Sequence, residues 1–260
     1  MCQLLGLNAN VPTDAMFSFC GLSERAVEHR DGFGIAFFEG VGMRVFQDAA
    51  SARESKVAEF IRTYPIRSRN IVGHIRKATQ GQVELANTHP FTRELWGRHW
   101  VFAHNGNLKD YAPHLHSHFQ PVGSTDSERA FCWLMQEMHK AHARFPGIAE
   151  LTLTLRELVP QIAAHGTFNL LLTNGDALWA HANTDLHYVE RRHPFGVATL
   201  CDADLRVDFS QVTTENDRVV LLATQPLTAN EQWTRFASGE LLTFVDGSRY
   251  EVQAPAWPVL

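Results

Sequence analysis

Apolar residues along the chain fall mostly into short, nearly continuous runs bounded by turn-forming residues, which is the pattern of buried strands. Such runs are "QLLGLN" (3–8), "FGIAFFE" (33–39), "MRVFQ" (43–47), "NIVGHIR" (70–76) and "HWVFAH" (99–104). Later ones are "TFNLLLT" (167–173), "ALWAHA" (177–182), "FGVATL" (195–200), "RVVLLAT" (218–224), "LLTFV" (241–245) and "SRYEV" (248–252). Asn174-Gly175 and Asp246-Gly247 each separate two such runs and read as hairpin turns, because both dipeptides accept positive φ.

Helical spacing is confined to three segments. "SARESKVAEFIRTY" (51–64) opens on a Ser51/Glu54 capping box, and "TDSERAFCWLMQEMHKAH" (125–142) on a Thr125/Glu128 box. In the second, Ala130, Phe131, Leu134, Met135 and Met138 share one face. The third, "GIAELTLTLRELVPQIAAHG" (147–166), is expected to bend at Pro160 and close at Gly166. Strands at both ends with helices between them do not alternate as βαβ units do. Runs such as "IAFF" and "NLLL" are apolar on both faces, so their sheets must be covered on both sides. Two packed sheets with helices outside, a four-layer α/β/β/α arrangement of α+β class, meet that requirement.

With 45% hydrophobic and 20% charged residues over 260, the chain has the makeup of a water-soluble globule with a full core, read as one domain over 1–260. A net charge of −5 gives no electrostatic reason to expect nucleic acid or an anionic membrane. The four cysteines, Cys2, Cys20, Cys132 and Cys201, form no C-x-x-C pair, so neither a zinc site nor a disulfide framework is indicated. No secretory leader and no membrane span is legible, which leaves the cytoplasm as the expected compartment.

Four stretches carry groups that a structural core does not need. Cys2 would hold a thiol and an α-amine on one residue once Met1 is removed, a nucleophile with its own base. "GHIRKATQG" (73–81) ends a strand at Arg76, whose planar fork suits a carboxylate or a structural ion pair, and adds the Thr79 hydroxyl. "FAHNGNL" (102–108) contains Asn105-Gly106, either a turn or a pair of N–H donors for an oxyanion, and "LKDYAPHL" after it makes a poor return strand. "GSTDSE" (123–128) sets Asp126 at a helix start, where it complements the helix dipole or receives a substrate ammonium.

Taken in order, Cys2, "HRDGFG" (29–34), "GHIRKATQG", "NTHPF" (87–91), "HNGNL" (104–108) and "STDSE" resemble the motifs of the class II glutamine amidotransferases. The likeness is greatest to the small stand-alone, YafJ-like members, and "ATQPLTANEQW" (223–233) with "GELLTF" (239–244) resembles the family's closing segment. The resemblance implies an N-terminal-nucleophile (Ntn) hydrolase with an αββα sandwich of two mainly antiparallel sheets. It implies Cys2 as nucleophile, Asn105 and Gly106 as oxyanion hole, Arg76 and Thr79 on the glutamine α-carboxylate, Asp126 on the α-amine and His89 near the pocket. The implied reaction passes through a γ-glutamyl thioester and releases ammonia and glutamate, with no cofactor and no metal.

Gln80 departs from the pattern, since several members carry His or Gly there. No synthase region follows the sandwich in these 260 residues, so the implied partners are glutamine and, as one option, a separate synthase subunit receiving ammonia. Free-standing hydrolysis of γ-glutamyl amides or peptides is the other option. Two readings of different class are an inactive binding module that keeps the sandwich and a histidine-rich metal-binding protein. For the latter, "HLHSH" would align His114, His116 and His118 on one face of an extended strand, although Pro113 argues for a loop.

Overall fold

The computed structural model describes residues 2–25, 30–78, 81–116 and 118–252. Its first half runs β1 (Gln3–Asp14), α1 (Met16–Glu24), β2 (Phe33–Glu39), β3 (Gly42–Asp48), α2 (Lys56–Thr63) and β4 (Arg67–Ile75). After these come β5 (Phe91–Leu95), β6 (Arg98–Leu108), α3 (Asp126–Ala141) and α4 (Ile148–Ala163). The second half is strand-rich: β7 (Gly166–Thr173), β8 (Ala177–Ala182), β9 (His187–Arg192), β10 (Val197–Thr199), β11 (Arg206–Asp208) and β12 (Arg218–Ala223). β13 (Thr234–Arg235), β14 (Glu240–Val245) and β15 (Ser248–Tyr250) complete it.

Two antiparallel sheets form, ordered β13-β9-β12-β1-β4-β2-β3 and β15-β14-β8-β7-β6-β5, with β10 and β11 as a small separate ribbon. Alternation along each strand divides the apolar residues into three layers. Leu5, Leu7, Ile71 and Ile75 face outward from the first sheet onto Phe19 and Leu22 of α1 and Ala58 and Ile61 of α2. Phe102, Phe168 and Leu170 face outward from the second onto Phe131, Met135, Leu151 and Leu155 of α3 and α4. Leu4, Val72 and Leu222 meet Val101, Ala103 and Leu171 between the sheets. The αββα sandwich is therefore the observed fold, and no described helix is long and apolar enough to cross a membrane.

Both hairpin turns form where expected, and Asp246 and Gly247 take φ of 50° and 71°. The helix boundaries need correction. α2 starts at Lys56 rather than near Ser51, because Ser55 is the cap, its hydroxyl oxygen accepting from the Val57 and Ala58 amides. α4 carries Pro160 in its last turn, and Gly166 opens β7 at φ +153° instead of closing the helix. Thr125 caps α3 through the Glu128 amide, yet the Glu128 carboxylate serves Arg93 and the Val122 and Gly123 amides and so does not complete a box. α1, β5, β9, β11 and β13 have no counterpart in the sequence reading.

Candidate active site

Strand alternation carries the chemistry to one end of the inter-sheet space. On β1, Leu4 faces the second sheet, so Cys2, two residues earlier, lies on the same side. Val72 sets the facing side of β4, which puts His74 and, one step beyond the strand, Arg76 there too. Across the gap, Val101 and Ala103 of β6 face inward and Asn105 follows in phase.

The Cys2 thiol lies against the Lys77 backbone: Sγ accepts from the Lys77 N–H at 3.2 Å and lies 3.4 Å from the Lys77 carbonyl. Burial pushes the thiol's pKa up, and the Lys77 N–H and the nearby Arg76 guanidinium draw it back. Asp31 fixes this stretch of chain, since its carboxylate accepts from the Ala78 amide at 2.7 Å while the Arg76 amide donates to the Gly32 carbonyl.

Arg76 is buried, and two of its N–H groups donate to the Gln82 and Gly81 carbonyls at 2.9 and 3.4 Å. The fork thus anchors the segment that follows β4 at the same time as it borders the thiol. Asn87 of "NTHPF" fastens that segment to the start of α3: its Nδ2 donates to the Gln82 carbonyl and its Oδ1 accepts from the Ser124 amide at 2.8 Å. His89 is buried, its ring 4.3 Å from that of His74 and 4.4 Å from that of Phe91. Burial, with His74, His104 and Arg76 around it, holds its pKa well below the usual imidazole range, so it packs as a neutral ring. A Cβ on Gly34 would overlap the His89 carbonyl oxygen, which explains the glycine in "DGFG".

Asn105-Gly106 is no turn. Both residues lie inside β6, paired with Asn169 and Phe168 of β7. Asn169 Nδ2 donates to the Asn105 carbonyl at 3.0 Å. A Cβ on Gly106 would overlap the Thr167 carbonyl oxygen and crowd the His104 ring, so only glycine fits. His104 Nε2 lies 3.0 Å from that carbonyl, which only accepts, so Nε2 carries the proton and Nδ1 accepts from the Ser127 hydroxyl at 2.8 Å. Ser127 in turn lies beside Asp126, whose carboxylate accepts from the Leu108 and Ser127 amides at 2.7 and 2.9 Å.

A cavity of about 650 Å³ opens beside Asp126, lined among others by Leu108, Lys109, Tyr111, Ser124 and Arg129. The structure therefore gathers Cys2, Arg76, Asn105, Gly106, Asp126 and His89 at one end of the sandwich. Thr79 lies outside the described residues, as do Gln80, His29 and Met1. Sequence reasoning missed Asp31, Ser127, His104 and above all Thr224, whose hydroxyl oxygen is 2.9 Å from the Leu4 amide and 3.4 Å from Asn105 Nδ2. All four lie inside stretches quoted above, Asp31 in "HRDGFG", His104 in "HNGNL", Ser127 in "STDSE" and Thr224 in "ATQPLTANEQW", but nothing local assigns them a partner. Around "HLHSH", residues 114–116 form no strand, and no cluster of three metal-ligating groups occurs among the described residues.

A family model described as glutamine amidotransferases class-II matches residues 1–258. YafJ of Escherichia coli (strain K12) is 49% identical over 253 residues, which cover 96% of this chain and 99% of that protein. A 2.0 Å crystal structure of a predicted glutamine amidotransferase from Pseudomonas aeruginosa PA01 is 41% identical, with a TM-score of 0.78 over 96% of this chain and 100% of that one. Glutamine phosphoribosylpyrophosphate amidotransferase from B. subtilis shares the fold alone, at 14% identity and a TM-score of 0.50 over 96% of this chain and 48% of that one. With the sandwich, the ordered motifs and these matches in hand, the chain belongs to the class II glutamine amidotransferases.

Proposed function

We propose that the protein is a cytoplasmic glutaminase-type amidohydrolase, acting as one domain, in which Cys2 is the nucleophile after Met1 is removed. Its Sγ attacks the side-chain amide carbon of glutamine, and the thiol proton passes to the Cys2 α-amine. The carbonyl oxygen becomes an oxyanion held by the Asn105 carboxamide and the Gly106 amide. As the tetrahedral adduct collapses, the C–N bond breaks and the α-ammonium returns the proton to the leaving nitrogen as ammonia. A γ-glutamyl thioester remains, and water, deprotonated by the same amine, cleaves it to glutamate and free thiol. Arg76 and Thr79 receive the α-carboxylate and Asp126 the α-amine, with His89 in the floor.

The observation that carries this reading is the bridge from the Leu4 amide through the Thr224 hydroxyl to Asn105, which ties the strand of the nucleophile to the residue facing the developing charge. The test is incubation with a glutamine-mimicking electrophile, then peptide mass mapping and ammonia assay. Label on an N-terminal Cys2 is expected. Ammonia release by protein whose Met1-Cys2 terminus stays intact and unlabelled would overturn it. A parallel panel of glutamine and γ-glutamyl peptides, with and without candidate synthases, reads which compound is the better substrate and whether a partner raises turnover.

A further inference from the structure

Resting on that reading, we propose that Thr224 is a positioning residue that sets which end of the Asn105 carboxamide faces the reacting carbonyl. Thr224 is itself held rigidly. Its amide donates to the Leu4 carbonyl at 3.3 Å, and its carbonyl lies 2.9 Å from His187 Nδ1. Its side-chain oxygen accepts from the Leu4 amide at 2.9 Å, and its own proton meets no other acceptor among the described residues. On the other side, Asn105 Oδ1 is buried with no hydrogen-bond partner among the described residues.

The two ends of a carboxamide have the same shape, so the surrounding hydrogen bonds decide their places. With Nδ2 toward Thr224, a hydroxyl proton and a buried carbonyl oxygen are both left unmatched. Turning the amide by half a rotation satisfies both, because Thr224 then accepts from Leu4 and donates to Asn105 Oδ1. The same turn puts the NH2 on the side away from Thr224, where in the proposed reaction the oxyanion requires a donor and a carbonyl oxygen would repel it. Thr224 thereby couples the backbone two residues from the thiol to the direction of the amide.

The experiment compares Thr224→Val, which keeps shape and loses the hydroxyl, with Thr224→Ser, which keeps the hydroxyl. Thr224→Val should lower kcat by about 10–100-fold with KM within about threefold, and Thr224→Ser should restore kcat to within a few-fold. Affinity for glutamate γ-semialdehyde, which forms a tetrahedral adduct with the thiol, should fall with kcat while affinity for glutamate holds. Alkylation of Cys2 by iodoacetamide, which needs no oxyanion hole, should stay unchanged. Wild-type kcat in Thr224→Val, or parallel losses of kcat and alkylation that serine does not rescue, would overturn the proposal. A wild-type protein that neither releases ammonia nor takes label refutes the function reading. The amide arrangement is then decided by the Asn105 side-chain NH2 signals, assigned by their loss in Asn105→Asp. Proton shifts of an NH2 without a protein acceptor support it, and those of a donor to Thr224 refute it.

Discussion

The Leu108 amide donates to Asp126 Oδ2 at 2.7 Å, and this bond ties the end of β6, just past Asn105 and Gly106, to the first turn of α3. The other carboxylate oxygen accepts from the Ser127 amide at 2.9 Å. Asp126 is thus a structural clasp as well as the proposed seat of the substrate ammonium, and substitutions separate the two roles.

Asp126→Asn keeps an oxygen for the Leu108 amide and removes the charge. Glutamine KM should rise at least about tenfold, as expected for loss of a charge-assisted hydrogen bond, and stability should fall by about 1 kcal/mol because the Ser127 amide loses its acceptor. Asp126→Ala also strands the Leu108 amide in a buried position and should lower stability by about 1–3 kcal/mol. Steady-state kinetics beside urea unfolding reads both; equal KM in wild type and Asp126→Asn would remove the ammonium role.

Gly106→Ala forces a methyl group into the Thr167 carbonyl oxygen, so β6 must shift away from β7. Overpacking of this kind costs about 1–3 kcal/mol, and misplacing the amide donor should lower kcat by about 100-fold. Gly196→Ala, with open space around its Cβ, is the matched control and should stay within about 0.5 kcal/mol of wild type.

The sandwich was legible because its signals are local: apolar runs, two hairpin dipeptides and the Thr125 cap of α3. Failures arose where long-range contacts decide. Ser51 was the expected cap of α2, but the Asp48 carboxylate, accepting from the Ser55 hydroxyl, fixes Ser55 in that place. α1 shows no amphipathic stripe because Phe17, Ser18, Phe19, Gly21, Leu22 and Ser23 are all buried around it. β9 reads as polar because Arg191 pairs with Glu231, a partner far along the chain. Thr224 is the clearest case in the site, since its hydroxyl meets Leu4 and Asn105 across 220 and 119 residues.

Glu128 illustrates a residue whose position was read correctly and whose work was not. Its side chain is only 2% exposed and receives Arg93 at 2.6 Å together with the Val122 and Gly123 amides. Glu128→Ala leaves the half-buried guanidinium and two amides without their acceptor and should cost about 3 kcal/mol. Because Ser124 and Asp126 follow this loop directly, glutamine KM should rise as well. Glu128→Gln, which retains one acceptor oxygen, should lose less of both, as measured by denaturant midpoints and kinetics.

Acid sensitivity should follow the buried imidazoles. Burial lowers the His181 pKa from 6.5 to about 4, and it drives those of His89 and His104 down too. The unfolded chain therefore binds more protons than the folded one below about pH 6.5, so stability falls as pH drops through that value. For His181 the loss levels off near pH 4 and totals about 3 kcal/mol. His181 Nδ1 donates to the Glu240 carbonyl at 3.0 Å, and His181→Asn retains a donor there without an ionisable ring. Urea midpoints taken from pH 7 to pH 4.5 should decline in the wild type and decline less steeply in His181→Asn. Identical slopes in the two proteins would show that His181 takes no part in the acid response.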